Sequence, residues 1–410
     1  MKRICSRPGN PIFLLTAIWM LLIIPIYCVS ADTRLMVVSD LHYLTPALYQ
    51  DSELFLQALR NGDGKITQFG DILLQALYRQ ILQEQPDALI VTGDLTFNGE
   101  KESHIALADW FRTVEAAGVP VWVIPGNHDI NVISPFGFGK ETYYRTEAVT
   151  PEEFREIYAD FTSPGETGFS YIVPVSDHLW VAMTDVAWYQ EHAETFGLFS
   201  SDHAAWLETV LQSAGESSAT VITATHHSLL AHTEFAKENF LMFGHESMSA
   251  LAQQYGVHLN LSGHLHIQHI VRDNGLADAA LGAFCIWPHR YALVTLDSGQ
   301  KLRYEARALD ESNLPGNFLQ VSREWFAGIT RDKVTASLTG TGKEIRLMAD
   351  YSARFNLAYF SGTYRKNDVS WTEDPAFALW QNQAGSAFWQ YMKTVMNESA
   401  EDPLHWEEAR

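Results

Sequence analysis

Short runs of consecutive apolar, β-branched or aromatic residues, each closed by a polar block, punctuate the first three quarters of the chain. They fall at 35–39, 88–92, 121–125, 179–184, 220–225 and 257–262. Runs of this length without alternation are expected of strands covered on both faces, as in a sheet packed between other layers. Between them the period changes. Ile66, Phe69, Leu73, Leu77 and Leu82 recur at helical spacing, as do Ile105, Leu107, Trp110, Phe111 and Val114, with polar faces between. Alternating strand and helix patterns predict a layered α/β domain. A hairpin over 291–296 and 302–308, turning through Asp297-Ser298-Gly299-Gln300, ends this region.

After Asn313-Leu314-Pro315-Gly316 only the helical period remains. Ile345, Met348, Tyr351, Phe355 and Tyr359 share one face, and Phe377, Trp380, Ala384, Phe388, Tyr391 and Val395 share another. Residues 317–410 are therefore read as a helical C-terminal domain following a main domain over 32–312. Packing alone accounts for its periodic aromatics, so a structural cap is expected. Two long polar stretches, 43–64 and 130–168, are expected to supply the walls of a substrate pocket, since long excursions from a compact sheet are often functional.

The first 31 residues differ from the rest. Lys2, Arg3 and Arg7 precede an apolar run from Ile12 to Val29, and Val29-Ser30-Ala31 places small residues where a signal peptidase would cut before Asp32. Residues 1–31 are thus expected to be a signal peptide, giving a secreted, periplasmic or cell-surface protein with no membrane attachment after cleavage; a retained anchor is the alternative. Over 410 residues the formal charge is -21, and without the leader 25 basic residues face 49 acidic ones. A balance this acidic argues against polymeric nucleic acid as a partner. Cys5 and Cys28 lie in the leader, which leaves Cys285 alone and allows no intrachain disulfide in the mature chain.

The polar blocks that close the strand-like runs carry the chemistry. They are Asp40-Leu41-His42, Gly93-Asp94, Gly126-Asn127-His128-Asp129, His226-His227 and Gly263-His264-Leu265-His266. Carboxylates, imidazoles and one amide carbonyl are the donor mixture that holds adjacent divalent or trivalent ions. In Asp-x-His and His-x-His a two-residue separation on extended chain would turn both side chains to one side. Strand alternation would turn His226 toward such a site and His227 away. Alone, each block would serve equally well as a cap, a turn or a satisfied core histidine. Five of them at successive strand ends would not.

In this order the blocks resemble the calcineurin-like metallophosphoesterase superfamily, over about residues 35–310. The resemblance implies a four-layer αββα sandwich of two sheets flanked by helices. It implies that Asp40, His42, Asp94 and His266 hold one metal ion and that Asp94, Asn127, His226 and His264 hold the second, with Asp94 as the bridge. The two cofactors would be Mn, Fe or Zn. His128, not a ligand in the family, would contact the phosphate and protonate the leaving oxygen while a hydroxide between the metals attacks.

Departures from the family's branches narrow the reading. Phe97 stands where purple acid phosphatases have a tyrosine ligand, and 93–99 lacks the second aspartate and the arginine of protein Ser/Thr phosphatases. Gly93-Asp94-Leu95-Thr96 with Gly99 and Glu100, the stretch Gly62-Asp63-Gly64-Lys65 and the helical tail are similar to secreted bacterial members of the cyclic-nucleotide phosphodiesterase branch. The expectation is a binuclear phosphodiesterase acting on 3',5'-cyclic nucleotides, with a small phosphate ester as its partner. A phosphomonoesterase or nucleotidase on the same site is the near alternative, and a non-catalytic binding protein that retains the fold is the alternative of another class.

Overall fold

Alternation along the first strand sets the layers. A computed structural model describes residues 32–163, 167–235, 239–398 and 402–408, so the predicted leader lies outside the described residues. In β1 (Thr33–Val38), Met36 and Val38 join a cluster with residues of α2 (Gly70–Glu84) and α3 (Lys101–Ala116), while Leu35 and Val37 face the opposite way. Both faces are covered and Leu35 to Val38 are fully buried, which is why the run lacks alternation.

Two six-stranded sheets result. The first has the order β14-β13-β12-β1-β2-β3. In it β2 (Ala88–Thr92) and β3 (Val121–Ile124) run parallel to β1, and β12 (Arg290–Leu296) and β13 (Leu302–Ala308) are the predicted hairpin. The second has the order β10-β11-β9-β8-β7-β6. Its predicted members are β7 (Leu179–Met183), β8 (Thr220–Ala224) and β9 (Leu259–Ser262), and β6 (Tyr171–Pro174), β10 (His269–Asp273) and β11 (Leu276–Ala280) extend it. Leu35, Ile90, Val294 and Trp406 meet Met183, Ile222, Leu261 and Ala279 between the sheets. On the far face of the second sheet Val221 and Leu276 pack against Leu207 and Leu211 of α5 (Ser201–Ser217) and Met248 of α6 (His245–Gln254). Helix, sheet, sheet and helix are therefore stacked as a four-layer αββα sandwich. A small ribbon, β4 (Phe136–Phe138) with β5 (Tyr143–Arg145), and short helices α1 (Glu53–Arg60) and α4 (Pro151–Ile157) occupy the long excursions.

The tail contains α7 (Phe318–Ser337), α8 (Gly342–Phe360), α9 (Ser370–Glu373), α10 (Pro375–Gln381) and α11 (Ala387–Asn397). The single helical face expected over 377–395 is divided between α10 and α11, which are separated by residues 382–386, a stretch containing Gly385. The tail also ends differently from a purely helical unit. Its last described residues form β14 (His405–Glu407), which pairs antiparallel with β13 and brings Trp406 into the core between the sheets. Among the described residues no helix is long and apolar enough to cross a membrane.

Candidate metal centre

The five polar blocks converge at the C-terminal ends of β1, β2, β3, β8 and β9, where the strands leave the sheets and the backbone must turn sharply. The turns are left-handed: φ is 54° at Asp40, 42° at His42, 51° at Asp94, 64° at His264 and 58° at His266. Asp40 and His42, and likewise His264 and His266, are therefore brought together by strained turns rather than by the extended chain that their spacing suggests. Left-handed backbone at a residue with a side chain costs roughly 1–2 kcal/mol, and strain of this kind gathers at functional sites. Two glycines make the crowding possible. A Cβ on Gly93, whose φ is +92°, would stand 2.6 Å from His226 Nδ1, and one on Gly126 would collide with the Asp94 carboxylate.

Two groups of donors form, and they share Asp94. In the first, Asp40, His42, Asp94 and His266 each place one ligand atom within 4.8 Å of all the others. His42 Nε2 lies 3.4 Å from Asp94 Oδ2, and His266 Nε2 lies 3.3 Å from Asp40 Oδ1. In the second, Asp94, His226 and His264 meet the same limit. Here the other oxygen of Asp94 is used, with Oδ1 3.3 Å from His226 Nε2, and Asn127 Oδ1 is 3.1 Å from the same nitrogen. One carboxylate thus divides its oxygens between two adjacent donor sets, the arrangement needed for a bridging ligand.

Neighbouring groups fix which nitrogen each ring presents. His226 Nδ1 is 2.8 Å from the Thr92 carbonyl and His266 Nδ1 is 2.6 Å from Asp63 Oδ2, so in both rings Nδ1–H donates outward and Nε2 faces the cluster. Asp129 accepts from the backbone N–H groups of Gly126, Leu95 and Thr96 at 2.8, 3.1 and 3.0 Å, tying the turns after β2 and β3 together. His128 lies at the edge. Its Nδ1 is 3.2 Å from Asn98 Oδ1, and its ring is 5.0 Å from that of His42. His227 does not leave the site altogether; it bonds the Thr195 carbonyl and packs on His264 with ring centroids 4.3 Å apart.

Burial acts on His226 and His266 against protonation, yet the carboxylates of Asp94 on one side and of Asp63 and Asp40 on the other raise both to about 9. The carboxyl of Asp94 is held well below its ordinary range by the surrounding imidazoles, although burial opposes this. The potential that retains a proton on these rings also attracts a metal cation in its place. Oxygen and nitrogen donors, with no thiolate among them, fit Mn, Fe or Zn.

A cavity of about 680 Å³ opens onto the donors, bounded at its base by Asp94, Asn127, His128, His264 and His266. Its walls are not the ones expected. The excursion over 130–168 contributes no lining residue and that over 43–64 contributes only Asp63, while Phe326, Ile329, Tyr359, Phe360, Phe388 and Tyr391 of the tail and Phe235 and Phe240 of a loop form the apolar side. Helical spacing of aromatics marks a buried face but does not distinguish a core from a cavity wall, and the tail supplies both. Asp63, Lys65 and Asn98 take part in the site without a role that their sequence positions assign. They fall within the stretches similar to the cyclic-nucleotide phosphodiesterase branch, but no spacing rule connects Asp63 with a histidine 203 positions later.

Comparison with known proteins bears on the family and the fold. The family model for calcineurin-like phosphoesterases matches residues 33–268, more than half of the chain. A model described as the C-terminal domain of cyclic nucleotide phosphodiesterase matches residues 306–402. A Synechococcus protein named "Probable cyclic nucleotide phosphodiesterase" is 28% identical over 203 residues, covering 49% of this chain and 66% of that protein, just under two thirds of its length. A shorter match of 60 residues, 43% identical, covers 13% of this chain and 21% of an Arcobacter nitrofigilis protein named "Probable glycerophosphodiester phosphodiesterase". Among solved structures, a dimetal phosphatase from Danio rerio superposes with a TM-score of 0.50 at 15% identity, over 68% of this chain and 97% of that one, a likeness of fold.

Proposed function

This chain belongs to the calcineurin-like phosphoesterase family, and on that premise we propose that it is a phosphoester hydrolase, a binuclear phosphodiesterase whose substrates are 3',5'-cyclic nucleotides. The observation that carries the reading is the division of Asp94 between two donor sets with His128 beside them. The tail match and the Synechococcus relative favour the cyclic-nucleotide branch over others.

In this reading Asp40, His42, Asp94 and His266 hold one ion, and Asp94, Asn127, His226 and His264 hold the other. When bound, the pair supplies positive charge for the phosphoryl oxygens and acidifies a water at neutral pH. The chain's own groups do the rest. His128 stands against the same cavity, and Asn98 Oδ1 accepting from its Nδ1–H leaves Nε2 to give a proton to the departing ribose oxygen. Burial holds the proton affinity of His128 below the ordinary imidazole value although the Asp94 carboxylate opposes this, so the doubly protonated ring, the form that has a proton on Nε2, gives that proton up readily. Proton donation of this kind contributes about 10²–10⁴ in rate. The aromatic wall excludes water and offers flat faces to a nucleobase.

The test is a comparison of bis-p-nitrophenyl phosphate and cyclic nucleotides with p-nitrophenyl phosphate, using the mature protein loaded with Mn. Preference for the diesters is expected, and a marked preference for the monoester would replace this reading with a phosphomonoesterase or nucleotidase. We also propose export through the leader over residues 1–31, for which amino-terminal sequencing of the exported protein should begin at Asp32.

A further inference from the structure

Gly62-Asp63-Gly64-Lys65 belongs to none of the strand ends, yet it places a cation in the same cavity. Lys65 lines that cavity with Asp94, Asn127 and His128, and its side chain is 15% exposed. Asp63 stands between Lys65 and the candidate centre. Its Oδ2 is 2.6 Å from His266 Nδ1, while its Oδ1 is 3.8 Å from Lys65 Nζ and has no hydrogen-bond partner among the described residues. At that separation the lysine is an ion partner of Asp63 but not its hydrogen-bond donor.

The loop is set by the tail. Lys333 of α7 donates to the Gly62 carbonyl at 2.6 Å, and Trp325 Nε1 donates to the Lys65 carbonyl at 3.2 Å. Gly64 has φ +107°, and the Phe326 ring fills the space where a Cβ would be. Contacts about two turns apart on one helix thus hold this loop. The other lysine lining the cavity, Lys333, is committed to the Gly62 carbonyl.

A lysine held beside a centre built for two metal cations is repelled by them, unless an anion lies between. Asp63 answers one positive charge but is already the acceptor for His266. A phosphoryl group in the cavity would be the shared anion. We infer that Lys65 is a third cationic group that holds an unesterified oxygen of the substrate's phosphoryl group, and that α7 sets it in place. This rests on the reading of the cavity as a phosphoester site, though not on which ester is cleaved.

The experiment uses the mature protein with Mn, its Lys65→Met and Lys65→Arg variants, metal content per chain, and binding of inorganic phosphate by calorimetry. Lys65→Met is expected to keep the wild-type metal content and lose roughly ten- to a hundredfold in phosphate affinity, the value of one charged hydrogen bond, with most of it restored in Lys65→Arg. If Lys65 served only as counter-ion to Asp63, the loaded Lys65→Met protein would bind phosphate as tightly as wild type; that result overturns the assignment and leaves the phosphoester reading standing. Wild-type protein that takes up Mn but binds no phosphate would overturn both. Should the methionine variant not fold, Lys65→Gln provides the same comparison.

Discussion

His128 and Asp94 are joined by a hydrogen bond, from the His128 backbone N–H to Asp94 Oδ1 at 2.9 Å, but the tasks proposed for their side chains differ. His128→Ala is expected to keep its metal and lose about a hundredfold or more in turnover, whereas Asp94→Ala is expected to lose metal and turnover together. Metal analysis beside a turnover assay separates them, and equal metal loss in both would remove His128 from its role as acid. Asp63→Asn keeps the size of the side chain but weakens the acceptor for His266 Nδ1–H. It is expected to lower metal affinity by about 10–100-fold, measured by competition with a chelator. The donors themselves are legible in the sequence because polar residues at the ends of fully apolar strands are conspicuous. The left-handed turns at Asp40, His42, His264 and His266 are not, since nothing in a two-residue spacing shows that the chain has ceased to be extended.

Among the elements, the strands buried on both faces are readable to within a residue or two, because a continuous β-branched run of five or six residues is too short for a helix and too apolar for a loop. The strands β10, β11 and β14 are not readable: they are three to five residues long, and only tertiary pairing makes them strands. The tail helices are readable as helices but not as a cavity wall. Phe388→Ala in α11 therefore tests the wall without touching a metal donor. If a nucleobase stacks there, KM for cyclic nucleotides is expected to rise by the equivalent of about 1–3 kcal/mol while turnover of a methyl phosphodiester stays near wild type. Gly64→Ala tests the other contact of the tail. Its positive φ and the Phe326 ring together predict a destabilisation of about 1–3 kcal/mol, seen as a lower urea midpoint.

For the whole molecule, stability is tied to ions and to pH. A metal that binds only the folded chain adds about 2.7 kcal/mol per site at a free concentration of 100 Kd, so Mn should raise Tm and a chelator should lower it. Glu398 gives a pH term away from the donors. Burial pushes its carboxyl up to about 7, against the Tyr359 hydroxyl that donates to it at 3.2 Å, and His269 Nε2 lies 3.9 Å away. An acid whose folded value is raised favours the folded state while protonated, so this stability is present below its ordinary value near 4.5 and is lost as pH rises toward 7. Glu398→Gln is expected to flatten the dependence of the urea midpoint on pH between 5 and 7. The strand β14 has a mechanical consequence of its own. Because the tail leaves the first sheet after β13 and returns to it at β14, the aromatic wall is anchored at both feet, as an arch is, and not hung from one side like a door. A wall held at both ends is expected to admit esters by the width of its span, which turnover of a graded series of diesters from methyl to oligonucleotide would check: a steep fall with size is the expected result, and equal rates across the series would show that the wall moves aside.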